Sequence, residues 1–179
     1  VLSLVGSEMC IRDSPSADHE VHWVMTAAWT FPDRELGHRP LTPVSRWAFD
    51  RVARAYGFVT MPPMPPAPDE LEARARAILR ALRLARRIAP CGGMIGLAPE
   101  GQDLPGRIGE PPEGAGRFIA LLVEAGLPVL PVGIAETGGR LRVSFGPLFQ
   151  PQVPERRAHQ DRAVAGQVME AIARQVPAA

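Results

Sequence analysis

Five of the seven residues from Pro62 to Pro68 are proline. Proline fixes φ and has no N–H to donate, so this run can be neither helix nor interior strand. It reads as a stiff connector inside one domain, in preference to a recognition motif for a proline-binding module. Upstream, Val21-His22-Trp23-Val24-Met25 is rich in strand formers, with Thr26 to Trp29 leaving the strand and a polar connection over Pro32 to Pro40. Thr42 as cap and Pro43 at the first helical position predict a helix running to Tyr56, with Trp47, Val52 and Ala55 on its inner face and Phe49 and Tyr56 widening it. Gly57 ends that helix and releases Phe58-Val59-Thr60-Met61 as a short strand.

Downstream of the prolines, Asp69 with Glu72 three residues on predicts a capping box opening a long helix. Leu71, Ala75, Ile78, Leu79, Leu82 and Ala85 fall at helical spacing and predict the buried stripe, while Arg74, Arg76, Arg80, Arg83, Arg86 and Arg87 take the remaining surface. That surface is either an ordinary solvated face or a basic one set against anionic lipid heads. Glu70 with Arg74 and Glu72 with Arg76 are helix-stabilising pairs of about 0.2–0.5 kcal/mol each. Pro90 to Gly93 stops the helix, and Met94 opens a buried strand.

Gly114-Ala115-Gly116 starts a further helix whose Phe118, Ile119, Leu122 and Val123 face the core and which Gly126 closes. The amides at that start can hold an anion, although glycines there more often serve close packing. Pro128 to Ile134 reads as a buried strand, and Arg140 to Phe145 as a half-exposed strand after a Gly138-Gly139 turn. Glu155 to Val176 reads as a last helix with Val164, Val168, Ile172 and Val176 inward. Strands alternating with helices predict an α/β fold, a mostly parallel central sheet flanked by helices.

With 179 residues and 46% hydrophobic content, the chain suits a single domain with a substantial core. Twenty arginines against nineteen acids give a net charge of +1, which argues against a nucleic acid partner. No stretch of eighteen apolar residues is present to span a membrane. Cys10 and Cys91 form neither a disulfide framework nor a metal-ligand spacing; no metal is expected, and a reducing compartment is favoured. Residues 1–14 differ in character from the rest and resemble the translation of a sequencing adapter. They are set aside as non-native, leaving 15–179 as the domain.

The chemistry concentrates at Met94-Ile95-Gly96-Leu97-Ala98-Pro99-Glu100-Gly101-Gln102-Asp103, an apolar run that ends in one carboxylate between a proline and a glycine. Such a strand end opens onto a loop, and in α/β proteins ligands bind there. Pro99 restricts the backbone before Glu100, and Gly101 allows another group to come close after it. A surface loop with a solvated glutamate accounts for the same residues in local terms.

This segment resembles the Phe-Pro-Glu-Gly motif of the glycerolipid acyltransferases, the lysophosphatidate acyltransferase-like superfamily. Gly114-Ala115-Gly116-Arg117-Phe118-Ile119-Ala120 and then Leu127-Pro128-Val129-Leu130-Pro131-Val132 resemble that family's next landmarks, a Gly-Ala-rich helix and a Pro-Val-x-Pro-Val strand. The likeness runs from about Val21 to Phe149 and implies a glycerol-3-phosphate acyltransferase-like fold. It implies transfer of a fatty acyl group from acyl-CoA or acyl carrier protein to a lysophospholipid or related lipid hydroxyl, with no bound cofactor. Lipid acceptor and acyl donor are then the partners, and the place is the cytoplasm, peripheral at the inner face of the membrane. Pro99, Glu100, Gly101 and Gln102 become the acceptor-binding turn.

In that family a His-x-x-x-x-Asp pair supplies the base, the imidazole taking the hydroxyl proton as oxygen attacks the thioester. Five residues after His19, His22, His38 and His159 stand Val24, Ala27, Pro43 and Val164, so this chain lacks the motif. Asp18 is the weak candidate for its acid, with Asp13 then in the histidine's place. The other expectation is that the pair lies upstream, and that this chain alone is inactive. Relatives acting on glycerol phosphates also carry an arginine after a strand like Gly57 to Met61 and another after the Glu-Gly pair. Here Pro62-Pro63 and Gln102-Asp103 stand in those places. Either the acceptor has no phosphate, or Arg107 or Arg117 supplies the guanidinium. The alternative of another class is a non-catalytic lipid- or partner-binding α/β domain.

Overall fold

The computed structural model of the chain describes residues 21–26, 41–56, 58–62, 70–100 and 108–176. Two compact units, Val1–Ala98 and Pro99–Ala179, divide the chain.

In the first unit, strand β1 (Val21–Thr26), helix α1 (Leu41–Tyr56), β2 (Val59–Met61), α2 (Leu71–Ile88) and β3 (Met94–Gly96) follow in order, with a 3-10 turn over Ala89–Cys91 before β3. The three strands form a parallel sheet in the order β2-β1-β3. β3 pairs with the first half of β1, Val21 opposite Met94 and Trp23 opposite Gly96, whereas β2 pairs with the second half, Val24 opposite Val59 and Thr26 opposite Met61. The chain steps from β1 out to β2 and returns across β1 to β3, so the winding reverses at β1. In open parallel sheets such reversals are where strand ends carry ligand sites. Gly96 lets the Trp23 indole lie on β3, since a Cβ there would be 2.7 Å from Cε3 of that ring.

The two helices of this unit turn different faces inward from those expected. On α1, Ala53 is buried, while Trp47 and Tyr56 are 62% and 70% exposed and Val52 and Ala55 are also outward. Arg51 lies over the Trp47 ring at 5.7 Å, Tyr56 stacks on Phe58, and the Phe58 N–H closes the helix on the Ala53 carbonyl at 2.8 Å. On α2 the buried row is Ala77, Ala81, Ala85 and Ile88; of the expected stripe only Ala85 is buried, Ile78 and Leu82 are half-buried, and Ala75 and the more than half exposed Leu71 and Leu79 face outward. The helix packs on β2 and β3, and an i, i+4 row of alanines brings its backbone closer to the strands than a row of leucines would. The start of α2 has Glu70 as cap with no side-chain cap bond; Glu72 pairs with Arg76 instead of closing a box, and Asp69 lies outside the described residues.

The inward face is testable by a contrast. Ala81→Leu should lower stability by about 2 kcal/mol, because a fully buried position has no room for three added carbons. Leu79→Ala should change it by less than about 0.5 kcal/mol. Urea unfolding of both variants checks this, and the opposite ranking would restore the leucine stripe to the core.

The second unit contains α3 (Ala115–Glu124), the strands β4 (Val132–Thr137) and β5 (Arg140–Phe145), and α4 (Arg157–Ala173). Phe118, Ile119, Ala120 and Leu122 of α3 are buried, as are Val164, Ala165 and Val168 of α4, and the two helices pack together. Gly126, at φ 100, closes α3: its N–H bonds the Val123 carbonyl and that of Leu127 bonds the Leu122 carbonyl. β4 and β5 form an antiparallel hairpin, Ile134 opposite Val143, across Gly138 and Gly139, whose φ of 59 and 71 suit a two-residue turn.

The predicted buried strand over Pro128 to Ile134 is therefore not one strand. Val129 bridges Phe149, Pro131 interrupts the ladder, and β4 begins at Val132 with Ile134 61% exposed. β5 is exposed at five of six positions, so neither of its sides is covered as alternation had suggested. The α/β class with a small parallel sheet stands, with the hairpin separate from that sheet. No helix among the described residues is long and apolar enough to cross a membrane. Cys91 is disulfide-bonded, against the expectation that the cysteines make no disulfide.

Candidate functional site

β3 ends at Gly96, and the next residues bring the chain through Leu97 and Ala98 to Pro99, which is buried, and Glu100, which is half-buried. The Glu100 carboxylate is held: its Oε2 accepts the backbone N–H of Gly109 at 3.3 Å, tying the two ends of the 100–109 segment together. Gly109 is itself buried. Oε1 has no hydrogen-bond partner among the described residues. One oxygen is thus spent on the fold and the other can accept a donor from outside.

Of the remaining expected site residues, Gly101, Gln102, Arg107 and Asp18 lie outside the described residues. Arg117 is placed in the first turn of α3 with its side chain exposed and with no ion-pair partner among the described residues. Glu100 and Arg117 share no hydrogen bond or ion pair. His22 is in β1 opposite Ile95 and His159 is exposed near the start of α4; His19 and His38 fall outside the described residues. Among the described residues no three of His, Cys, Asp and Glu come together as metal ligands.

The start of α3, whose amides can hold an anion but whose glycines read more readily as packing devices, is filled from within the chain. Asp161 of α4 accepts the Gly114 N–H at 2.7 Å with Oδ2 and the Arg117 N–H at 2.9 Å with Oδ1. These are the two amides that a local capping box would satisfy. Here the cap residue is a glycine at φ 90 and the third helical residue is an arginine, so neither can supply an acceptor, and a carboxylate from the neighbouring helix does both tasks. Gly116 makes the approach possible: a Cβ on it would be 1.9 Å from the Asp161 carbonyl oxygen and 2.7 Å from the Ala165 nitrogen. The glycines of this stretch serve packing, and no free anion site remains at the two amides Asp161 occupies.

A further tie was not visible in the residue pattern. The Gln167 side chain pairs with both backbone groups of Gln152, accepting its N–H at 2.8 Å and donating to its carbonyl at 2.9 Å. This fastens the connection that leads into α4. No protein-family model, curated protein or solved structure matches the chain.

Proposed function

We propose that the chain is part of a glycerolipid-type acyltransferase of glycerol-3-phosphate acyltransferase-like fold, moving a fatty acyl group from acyl-CoA or acyl carrier protein to the hydroxyl of a lysophospholipid or related lipid. The observation that carries this reading is the divided role of Glu100, with Oε2 anchored on Gly109 and Oε1 left to accept a hydroxyl. The order of the motifs supports it: a strand running into Pro99-Glu100-Gly101, then α3, then the Leu127 to Val132 segment. Glu100 orients the acceptor and Gly101 leaves room for it, while the proton-accepting histidine comes from a His-x-x-x-x-Asp segment that this chain does not contain. Arg107 or Arg117 meets an acceptor phosphate where there is one. Work at the cytoplasmic face of the membrane belongs to the same proposal.

The Glu100–Gly109 bond also favours a second reading, a non-catalytic lipid- or partner-binding domain in which Glu100 only staples a loop. Glu100→Gln separates the two. Its amide oxygen can still accept from Gly109, but its NH2 then faces the acceptor as a donor and cannot accept the hydrogen bond that a hydroxyl offers. In an acyltransferase that carries both His-x-x-x-x-Asp and the Pro-Glu-Gly turn, Glu100→Gln at this position should lower transfer about a hundredfold with thermal stability unchanged. Undiminished turnover there would leave Glu100 as a staple alone.

A further inference from the structure

The outward side of α2 has two adjoining rows. Arg76, Arg80, Arg83 and Arg87 form one, and Leu71, Ala75 and Leu79 the other, which Arg86 continues, with Glu72 between the two; all nine residues are exposed. Five guanidinium groups therefore face a single carboxylate. Glu72 is taken up by Arg76, and Arg80, Arg83, Arg86 and Arg87 have no carboxylate partner among the described residues. Such a face is costly to leave alone, because like charges one helical turn apart repel. The leucines beside it are only partly covered, at 57% and 52% exposed.

We propose that this face of α2 docks on an anionic lipid surface. The charge selects a phosphate-rich partner, and the leucine row selects a lipid bilayer over a nucleic acid. A bilayer accepts leucine below its headgroups while arginine stems reach up to the phosphates, whereas a nucleic acid backbone gives Leu71 and Leu79 nothing to enter. The chain's net charge of +1 means that the attraction is local to this face and is not a property of the whole surface. The helix lies in the plane of the interface and does not cross it, since arginines recur along its length.

The test uses the full chain and vesicles of phosphatidylcholine with and without phosphatidylglycerol, read by co-sedimentation at 0.1 M salt, with a duplex oligonucleotide as competitor. Binding should require phosphatidylglycerol. Arg80→Gln, Arg83→Gln and Arg87→Gln together should weaken it about a hundredfold, roughly fivefold for each charge removed. Gln is a good helix former, so these exposed changes leave the helix intact, which circular dichroism checks. Leu71→Ser with Leu79→Ser should weaken vesicle binding several-fold and leave any oligonucleotide binding unchanged.

Equal binding by the triple variant, or binding to pure phosphatidylcholine vesicles as strong as to the anionic ones, would overturn the proposal. Displacement from vesicles by oligonucleotide, with no effect of the leucine changes, would assign the face to nucleic acid instead. Because vesicle binding is read without substrate, it can succeed where acyl transfer fails, and the reverse.

Discussion

Gly116→Ala should destabilise the second unit by about 3 kcal/mol or more. The position is buried in α3, and the atoms that an added methyl would meet are backbone, the Asp161 carbonyl oxygen at 1.9 Å and the Ala165 nitrogen at 2.7 Å. Backbone cannot swing aside as the end of a long side chain can, so α3 and α4 must separate. Separation also loosens the contact among Phe118, Ile119, Val164 and Val168. Alanine has the higher helix propensity by about 1 kcal/mol, which opposes the effect and makes the sign informative. Chemical denaturation of the variant measures it; a stability equal to or above that of the parent would mean that the two helices do not approach so closely.

Asp161→Ala is expected to cost about 2 kcal/mol. It leaves the N–H groups of Gly114 and Arg117 without their acceptor at the positive end of α3, which neither residue can replace from its own side chain. Bonds to an ionised acceptor are worth about 1.5–3 kcal/mol each, and partial exposure here lets water recover a good share of that. Asp161→Asn retains one acceptor oxygen and should lose roughly half as much. Thermal melts of the two variants give the ranking, and an alanine variant that melts with the parent would remove Asp161 from the cap.

What could be foreseen of the fold depended on how local its cause was. The Gly138-Gly139 turn, the glycine closing α3 and the strand before Pro99 each follow from a few adjacent residues and are found where those residues put them, although that strand is half-buried and not buried. The inward faces of α1 and α2 do not follow, because periodicity gives weight to large apolar residues. Alanine suits either side, so of the core row Ala77, Ala81 and Ala85 only Ala85 falls within the expected stripe, while Leu71 and Leu79 point outward. The β4–β5 hairpin shows the same limit: Val129 to Ile134 is as apolar as a central strand, but Pro131 has no N–H for a continuous ladder.

The candidate site divides in the same way. Glu100 stands out because Pro99 and Gly101 flank it, whereas its partner Gly109 is nine residues away across a glycine-rich segment and carries no side chain to draw notice. Asp161 is 47 residues from Gly114 and looks in sequence like any acid near a helix start. Only the absence of an acceptor at Gly114 and Arg117 hinted that one must come from elsewhere.

α4 engages the rest of its unit at both ends. Near its beginning Asp161 holds α3, and just past its end Gln175 sits against Gly133 of β4 and Gly146, the residue after β5, where a Cβ on either glycine would collide with it at 2.7 or 2.8 Å. The last helix therefore works as a clasp on everything that precedes it in this half of the molecule. Cutting the polypeptide ahead of residue 157 would undo two attachments at once, and the earlier helix and the ribbon would come apart together rather than in turn.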